Sequence, residues 1–212
     1  MNDLGELIRR RIVAVVRHVR LEHLDTLLAA LTAGGVSAVE FTFTGEDPIP
    51  AIRQARASHP KVVSGAGTIR TIAQLDAAIA AGSRFGVSPH LNPDLVRAAR
   101  SHAFAYIPGV LSPSELAHAL ALGCEVAKVF PIGVHGLGYV GDLLTVFPEA
   151  KLMVSGGVGV AEAQQYLDAG ARIVCLGGAL AGSVGTAPDP ELITKRASAA
   201  TRPARDTPPV GL

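Results

Sequence analysis

The sequence predicts an α/β fold, a (β/α)8 TIM barrel with a short N-terminal helix, on three observations. Eight short apolar runs recur along the chain at spacings of about 20 to 25 residues. The gaps between them hold Ala- and Leu-rich amphipathic segments, several of which open on a capping Thr or Ser and close on glycine. None of the eight runs has the character of a sheet edge, which favours a closed barrel over an open sheet.

The elements follow one another in a regular order. The predicted strands are RIVAVVR (from Arg11), SAVEFTF (from Ser37), KVVSGAG (from Lys61), RFGVSP (from Arg84), FAYIPG (from Phe104), EVAKVFP (from Glu125), KLMVSGG (from Lys151) and RIVCLGG (from Arg172). The predicted helices include LEHLDTLLAALTAGG, TIAQLDAAIAAG, SPSELAHALALG and VAEAQQYLDAG. Two of these show both end signals, one from Thr71 to Gly82 and one from Ser112 to Gly123.

A chain of 212 residues is long enough for one sizeable core, and no stretch has the composition of a linker between two halves. We therefore expect a single barrel domain over residues 1–200. The last residues, 201–212, read TRPARDTPPVGL and have little apolar surface to bury, so they are expected to form a flexible tail.

The composition favours a small-molecule partner. Hydrophobic residues make up 49% and charged residues 17%, which suits buried parallel strands. The formal net charge is +1, and Lys and Arg form no run that would attract nucleic acid. No uninterrupted apolar stretch is long enough to span a membrane.

Three further features allow predictions about the location of the protein and about metal binding. They are the cysteines, the N-terminal residues and the histidines. Cys124 and Cys175 lack CxxC or Cys/His spacing, which predicts two buried, reduced thiols. The opening MNDLGELIRR carries acids and lacks the apolar core of a secretory signal, so we expect a cytoplasmic protein. The spacing of His18, His90 and His135 gives no metal set.

Two charged residues stand inside predicted strands. In SAVEFTF, the large apolar side chains share one face: Val39, Phe41 and Phe43. The smaller or polar ones share the face expected to line the barrel: Ala38, Glu40 and Thr42. In EVAKVFP, Lys128 alternates with Ala127 and Val129 and is predicted to point inward, since a lysine under the helices would have little to pair with. It lies near the C-terminal end of its strand, where catalytic groups of such barrels collect.

A buried lysine permits two interpretations. Its amine attacks a carbonyl only as the free base, and burial in an apolar setting favours that form. Lys128 is thus a candidate Schiff-base nucleophile, with Glu40 as its general acid and base. The alternative is a buried ion pair between the two, or a lysine that reaches the rim. Spacing alone does not separate these interpretations.

The motifs around these residues occur in a specific order. They are the first strand ending in Arg17, GGVSAVEFT, GAGT (Gly65 to Thr68), VSP (Val87 to Pro89), IPGVLSPSE (Ile107 to Glu115), AKVFP, SGGV (Ser155 to Val158) and CLGG (Cys175 to Gly178). From about Ile12 to about Leu180, the chain therefore resembles the class I 2-keto-3-deoxy-6-phosphogluconate / 4-hydroxy-2-oxoglutarate (KDPG/KHG) aldolase family.

The resemblance implies a reaction. Lys128 matches the lysine that forms a Schiff base with a 2-keto acid, and Glu40 matches the glutamate that shuttles protons. Cleavage between C3 and C4 would release pyruvate and an aldehyde, either glyceraldehyde 3-phosphate or glyoxylate. No metal or other cofactor is implied, and the implied assembly is a homotrimer.

The resemblance also implies substrate contacts. Thr68 matches a residue that hydrogen-bonds the pyruvate end. The same motifs supply Pro89, Phe130 and Ser155 as further candidates for substrate binding. The phosphate end matches the backbone of four glycines: Gly156, Gly157, Gly177 and Gly178. Loops after the last two strands of such barrels often present N–H groups to phosphate.

Two positions depart from the family pattern. Thr44 stands where gluconate-type members commonly carry an arginine for the keto acid's carboxylate, and Arg17 could supply that charge instead. Ala179 stands where a serine hydroxyl is common at the phosphate end. Both departures suggest an altered substrate preference.

Two alternatives stay open. A phosphate-binding isomerase or epimerase would use the same loops, but would need paired acids or metal ligands and would not need Lys128. A non-catalytic barrel that binds a keto acid would explain the two departures. GLGYVG, Gly136 to Gly141, formally matches a dinucleotide fingerprint but does not follow a strand, which predicts a flexible loop ahead of helix six.

Overall fold

The barrel wall consists of parallel strands throughout. The structure is a computed structural model and describes residues 3–18, 20–44, 46–182 and 187–202. Its strands are β1 (Ile12–Val16), β2 (Ala38–Thr42), β3 (Val63–Gly67), β4 (Phe85–Val87), β5 (Ala105–Ile107), β6 (Gly109–Val110), β7 (Ala127–Val129), β8 (Leu152–Val154) and β9 (Ile173–Leu176). They pair in the order β5-β4-β3-β2-β1-β9-β8-β7-β6.

The fifth predicted strand is split, which is why nine strand segments build an eight-stranded barrel. Pro108 separates β5 from β6, and a proline has no N–H with which to continue a ladder. β5 pairs with β4, whereas β6 pairs with β7. The Pro108 carbonyl accepts a hydrogen bond from the Lys128 N–H at 2.8 Å. The covalent chain through Pro108 thus joins the two ends of the sheet, and the predicted (β/α)8 architecture is confirmed.

Helices alternate with the strands as expected. They are α1 (Asp3–Arg10), α2 (Leu21–Ala33), α3 (Ile49–Ser58), α4 (Ile72–Ala80), α5 (Pro93–Ser101), α6 (Pro113–Ala121), α7 (Gly138–Val146), α8 (Ala163–Asp168), α9 (Gly178–Ala181) and α10 (Pro190–Thr201). The cap predictions are confirmed: Thr71 accepts from the Gln74 N–H, and Ser112 and Glu115 form a capping box. Of the predicted tail, residues 203–212 lie outside the described residues, and Thr201 ends α10.

The barrel interior is a separate core from the layer under the helices. Its buried side chains come from every wall and from α1: Leu4, Leu7, Val13, Val15, Ala38, Val63, Phe85, Val87, Ile107, Val126, Met153, Ile173 and Cys175. The helix α1 closes the N-terminal end of the barrel, where Arg84 pairs with both Asp3 and Glu6. Hydrogen bonds from Arg10 and then Arg84 lower the pKa of Glu6. The candidate site lies towards the opposite, C-terminal end of the barrel.

Two expectations about composition can be compared with the structure. Both cysteines are free, but only Cys175 is buried; Cys124 is partly exposed, because it lies in the turn after α6. Among the described residues, no helix combines the length and the hydropathy that a membrane crossing requires.

Candidate active site

Lys128 and Glu40 face each other across the inside of the barrel. Lys128 lies in β7 and is 5% exposed, and Glu40 lies in β2 and is 1% exposed. With β5 and β6 counted as one strand, β2 and β7 stand on opposite walls of the ring. The Lys128 Nζ lies 3.9 Å from the Glu40 Oε1. The inward direction inferred from strand period is therefore correct for both side chains.

The distance between the two groups matters for chemistry. At 3.9 Å the amine and the carboxylate attract each other, but they are beyond hydrogen-bond distance. Within the described part of the chain, the Lys128 amine has no hydrogen-bond acceptor. Its Nζ lies 5.1 Å from the centre of the Phe130 ring, within range of a cation–π contact. The amine is therefore held by packing and charge rather than by a direct hydrogen bond to Glu40.

The space for Glu40 depends on a glycine in the neighbouring strand. A Cβ added to Gly67 would lie 1.9 Å from the Glu40 Oε1 and 2.4 Å from its Cδ. Real Cβ atoms do not approach other atoms so closely, so the carboxylate occupies the room that any side chain at residue 67 would need. Gly67, the second glycine of the GAGT motif, is thus required because any larger residue would take the space of the Glu40 side chain.

Cys175 and Ser155 lie next to the pair. Burial raises the pKa of the Cys175 thiol to about 12, and the Glu40 carboxylate adds to that shift. Lys128 and a hydrogen bond with Ser155 oppose it. The thiol is therefore protonated at neutral pH and behaves as a small, inert neighbour. Ser155, predicted to bind substrate, is 6% exposed and follows β8.

The structure brings Thr68 and Thr44 together at one side of the mouth. Thr68 follows β3 directly with φ at 58°, a left-handed conformation that a β-branched residue rarely adopts. The Thr44 hydroxyl donates a hydrogen bond to the Thr68 hydroxyl at 3.2 Å. The residue that replaces the family's arginine therefore contacts the residue expected to bind the pyruvate end. Strain of this kind often marks a functional position.

Arg17 lies at the other side of the mouth. Its Nη1 is 2.9 Å from the position that a Cβ on Gly177 would take. Gly177 precedes α9, and β1 pairs directly with β9, which brings Arg17 to that loop. The structure therefore places Arg17 against Gly177, one of the glycines expected to form the phosphate end.

The remaining candidates form the wall between these two sides. Gly156 and Gly157 have φ of 86° and 82°, which favours glycine, and the Phe130 ring packs on Gly156. Pro89 follows β4, and its backbone packs on Gly109, where a Cβ would lie 2.3 Å from the Pro89 carbonyl carbon. Phe130 thus stands between Lys128 and the predicted phosphate end.

Some of the sequence-based assignments were incomplete. Thr42 was placed on the inner face but given no role, and Gly67 was seen only as part of a motif. The flexible loop predicted for GLGYVG is wrong in part, because α7 begins at Gly138 and takes in the last four of the six residues of the motif. A glycine-rich stretch can be helical where neighbouring contacts supply the stability that propensity lacks. In the described ranges, no three His, Cys, Asp or Glu side chains are grouped to hold a metal ion.

A (β/α)8 barrel with a buried amine opposite a carboxylate in its interior belongs to the class of barrels that carry an ionisable pair where an active site is expected. Residues 5–195 match the family described as KDPG and KHG aldolase. The 2-dehydro-3-deoxy-phosphogluconate aldolase of Treponema pallidum is 34% identical over 174 residues, which cover 80% of this chain and 81% of the relative. The chain belongs to the KDPG and KHG aldolase family, and it is an aldolase, a carbon–carbon lyase.

Two solved structures support the same grouping. The 2-keto-3-deoxy-6-phospho-gluconate aldolase of Zymomonas mobilis ATCC 29191 superposes with a TM-score of 0.86 at 30% identity, covering 96% of this chain and 98% of that one. The KDPG aldolase of Legionella pneumophila has a TM-score of 0.84 at 28% identity, covering 95% and 99%. The latter holds pyruvate captured at low pH as a covalent carbinolamine intermediate.

The contact between Gly67 and Glu40 gives a test of the site. In Gly67→Ala, the flexible end of Glu40 must move away, so we expect aldolase turnover to fall by about tenfold or more while the fold persists. Steady-state kinetics and thermal unfolding measure the two effects. Gly141→Ala is the matched control, since a Cβ there meets nothing within 4 Å. Unchanged turnover in Gly67→Ala would show that the position of the Glu40 carboxylate does not matter.

Proposed function

We propose that the protein is a class I, Schiff-base aldolase with Lys128 as its nucleophile. It reversibly cleaves a 2-keto-3-deoxy-6-phospho sugar acid, or a substrate like 4-hydroxy-2-oxoglutarate, into pyruvate and an aldehyde. The aldehyde is glyceraldehyde 3-phosphate or glyoxylate. The observation that carries this proposal is the buried Lys128 amine, 3.9 Å from the Glu40 carboxylate in the barrel interior.

Schiff-base formation is the first step of the proposed mechanism. The free amine of Lys128 attacks the C2 carbonyl of the keto acid to give a carbinolamine, and loss of water gives an iminium. The pyruvate carbinolamine captured in the Legionella relative supports this step by analogy. The amine makes no direct hydrogen bond to Glu40 at 3.9 Å, which leaves it able to approach a carbonyl.

Cleavage follows from the electron demand of the iminium. Glu40 takes the proton of the C4 hydroxyl, the C4–O bond becomes a carbonyl, and the electron pair of the C3–C4 bond moves towards the iminium nitrogen. The aldehyde leaves, and a pyruvate enamine remains on Lys128. Glu40 returns the proton to C3, and water then hydrolyses the iminium to release pyruvate. The low exposure of both residues strengthens these charge interactions.

The pyruvate end is assigned to the hydroxyl side of the mouth. Thr68, held by its hydrogen bond from Thr44, offers a neutral contact to the keto acid's carboxylate. Pro89, Phe130 and Ser155 complete the wall around the reacting carbons. A neutral contact holds a carboxylate less strongly than the arginine common in the family would, which supports an altered preference for the keto acid.

The phosphate end is assigned to Arg17 together with the glycine backbones. Gly156, Gly157, Gly177 and Gly178 provide N–H groups, and Arg17 lies against Gly177. A guanidinium there would offset the hydroxyl that is missing at Ala179. We therefore assign Arg17 to the anionic tail of the substrate rather than to its carboxylate.

Covalent trapping tests the proposed nucleophile. After incubation with pyruvate and sodium borohydride, peptide mass spectrometry is expected to find a reduced pyruvate adduct on Lys128. Lys128→Ala should abolish both adduct and pyruvate release, whereas Lys151→Ala, which removes a surface lysine paired with Glu125, should keep both. If Lys128 stays unmodified in the folded protein, the result would favour the interpretation that Lys128 and Glu40 form only an ion pair. The isomerase and the non-catalytic alternatives would then be favoured over the Schiff-base aldolase.

Arg17→Leu tests which end of the substrate this arginine serves. The KM for a phosphorylated substrate should rise by about tenfold to 100-fold, the value of a charge-assisted hydrogen bond, with little change in the KM for pyruvate in the synthetic direction. Arg53→Leu, on the exposed face of α3, is the control. If the KM for pyruvate in the synthetic direction rises instead, Arg17 binds the carboxylate.

The wider setting of the enzyme is also proposed. We infer that residues 1–200 act as one catalytic domain and that the two free thiols belong to a cytoplasmic protein. Membership of the aldolase family supports a homotrimer. Multi-angle light scattering of the purified chain should give three times the 21.8 kDa of one chain, and a monomer mass would contradict the assembly.

A further inference from the structure

Two buried polar atoms on the inner face of β2 lack partners among the described residues. One is the Oε2 of Glu40, and the other is the Oγ1 of Thr42. The two residues are 1% and 3% exposed. Buried polar atoms are almost always hydrogen-bonded, and leaving one without a partner is unfavourable. Two orphans in one reacting centre indicate that something polar joins them there during function.

The strand geometry brings the two atoms close together. Thr42 follows Glu40 by two residues in β2, so both side chains point into the barrel, with Thr42 nearer the mouth. Thr42 is the ladder partner of Gly67 in β3. The Glu40 carboxylate lies in the space above Gly67, 1.9 Å from where its Cβ would be. Glu40 and Thr42 are two residues apart on one face of β2, which puts their Cα atoms about 6.6 Å apart. The Glu40 carboxylate extends towards Gly67, the residue that pairs with Thr42.

Two polar side chains at this spacing on one strand face can share one water molecule. A water between two oxygens makes two hydrogen bonds of about 2.8 Å each, and it needs at least two polar partners to be held in a buried place. The third partner would be the substrate hydroxyl, which must approach Glu40 in the proposed reaction. The neighbouring Thr44 hydroxyl already donates to Thr68, and it is exposed.

We propose that Thr42 is a positioning residue, whose hydroxyl holds a water against the Glu40 Oε2, and that this water carries the proton between Glu40 and the substrate. The inference rests on the proposed Schiff-base function. It assigns a role to a residue that touches neither the iminium nor the leaving aldehyde. The side chain acts only through the water and Glu40.

The protons balance in the cleavage step and in the protonation of C3. In cleavage, the water accepts the C4 hydroxyl proton while it gives one of its own protons to Glu40, and the C3–C4 electron pair forms the enamine. In the next step, the protonated Glu40 gives its proton to the water, which delivers one to C3 and restores the iminium. No oxidant, reductant or further reactant takes part. The same relay exchanges the methyl protons of bound pyruvate with solvent.

The test separates Schiff-base formation from proton relay. Pyruvate alone, in deuterated water, reports enamine formation as loss of its methyl signal in proton NMR, and borohydride trapping reports the Schiff base. Thr42→Val keeps the shape but removes the hydroxyl. It should slow methyl exchange by about tenfold to 100-fold, part of what general acid–base catalysis supplies, with the trapped adduct within about twofold of wild type.

Two further variants control the result. Thr42→Ser should restore exchange to within about threefold of wild type, because it returns the hydroxyl. Ser64→Ala removes another buried hydroxyl without a described partner, two residues before Ala66 in β3 on the helix-facing side, and should leave exchange unchanged. Wild-type exchange in Thr42→Val would overturn the proposal. Equal losses of adduct and exchange would also overturn it, since they would mean a structural role.

A crystal structure can test the role of Thr42 independently of the proposed Schiff-base function. If wild type forms no pyruvate adduct, the Schiff-base function fails, and the position of the water is still observable. At high resolution, a water about 2.7–3.2 Å from both the Thr42 hydroxyl and the Glu40 carboxylate is expected, and it should be missing in Thr42→Val. A wild-type site without that water overturns the role assigned to Thr42.

Discussion

The close approach of Lys128 and Glu40 across the barrel is the constraint on which the rest of the site depends. Burying an amine and a carboxylate costs several kcal/mol each unless they are compensated, so the pair must be held at a distance where charge attraction helps. At 3.9 Å they attract without a direct hydrogen bond. Opposite strands, β2 and β7, fix that distance, and the closed barrel keeps bulk water away. A ring that opened at β5 or β6 would lose both properties.

Glycines on the inner face of β3 leave room for larger side chains from the neighbouring strands. Gly67 leaves its volume to the Glu40 carboxylate, and Gly65 leaves its volume to the Phe85 ring. Large and small residues on neighbouring strands thus fill the layers of the barrel together. Cys175, protonated because burial raises its pKa, adds bulk near the pair without a competing charge. The chemistry and the packing of this barrel are therefore set by the same side chains.

The two ends of the mouth differ in charge. A neutral hydroxyl pair, Thr44 and Thr68, stands after β2 and β3, whereas Arg17 and Gly177 stand after β1 and β9. The mouth therefore offers hydroxyl groups on one side and a guanidinium on the other. Residue 44, where the family commonly has an arginine, is a neutral threonine bonded to Thr68, and the guanidinium of Arg17 lies instead against Gly177.

The sequence by itself determined the repeated strand and helix pattern, the helix caps and the inward direction of Glu40 and Lys128, because period and capping are local properties. It also carried the family motifs in order. Only the tertiary structure decided that Pro108 splits a strand, that Arg17 meets Gly177, and that the Glu40 carboxylate lies over Gly67 beside Thr42. Those relations depend on strand register and ring closure, which join residues far apart in the chain. No local sequence pattern shows that a glycine on one strand leaves room for a large side chain on the next strand.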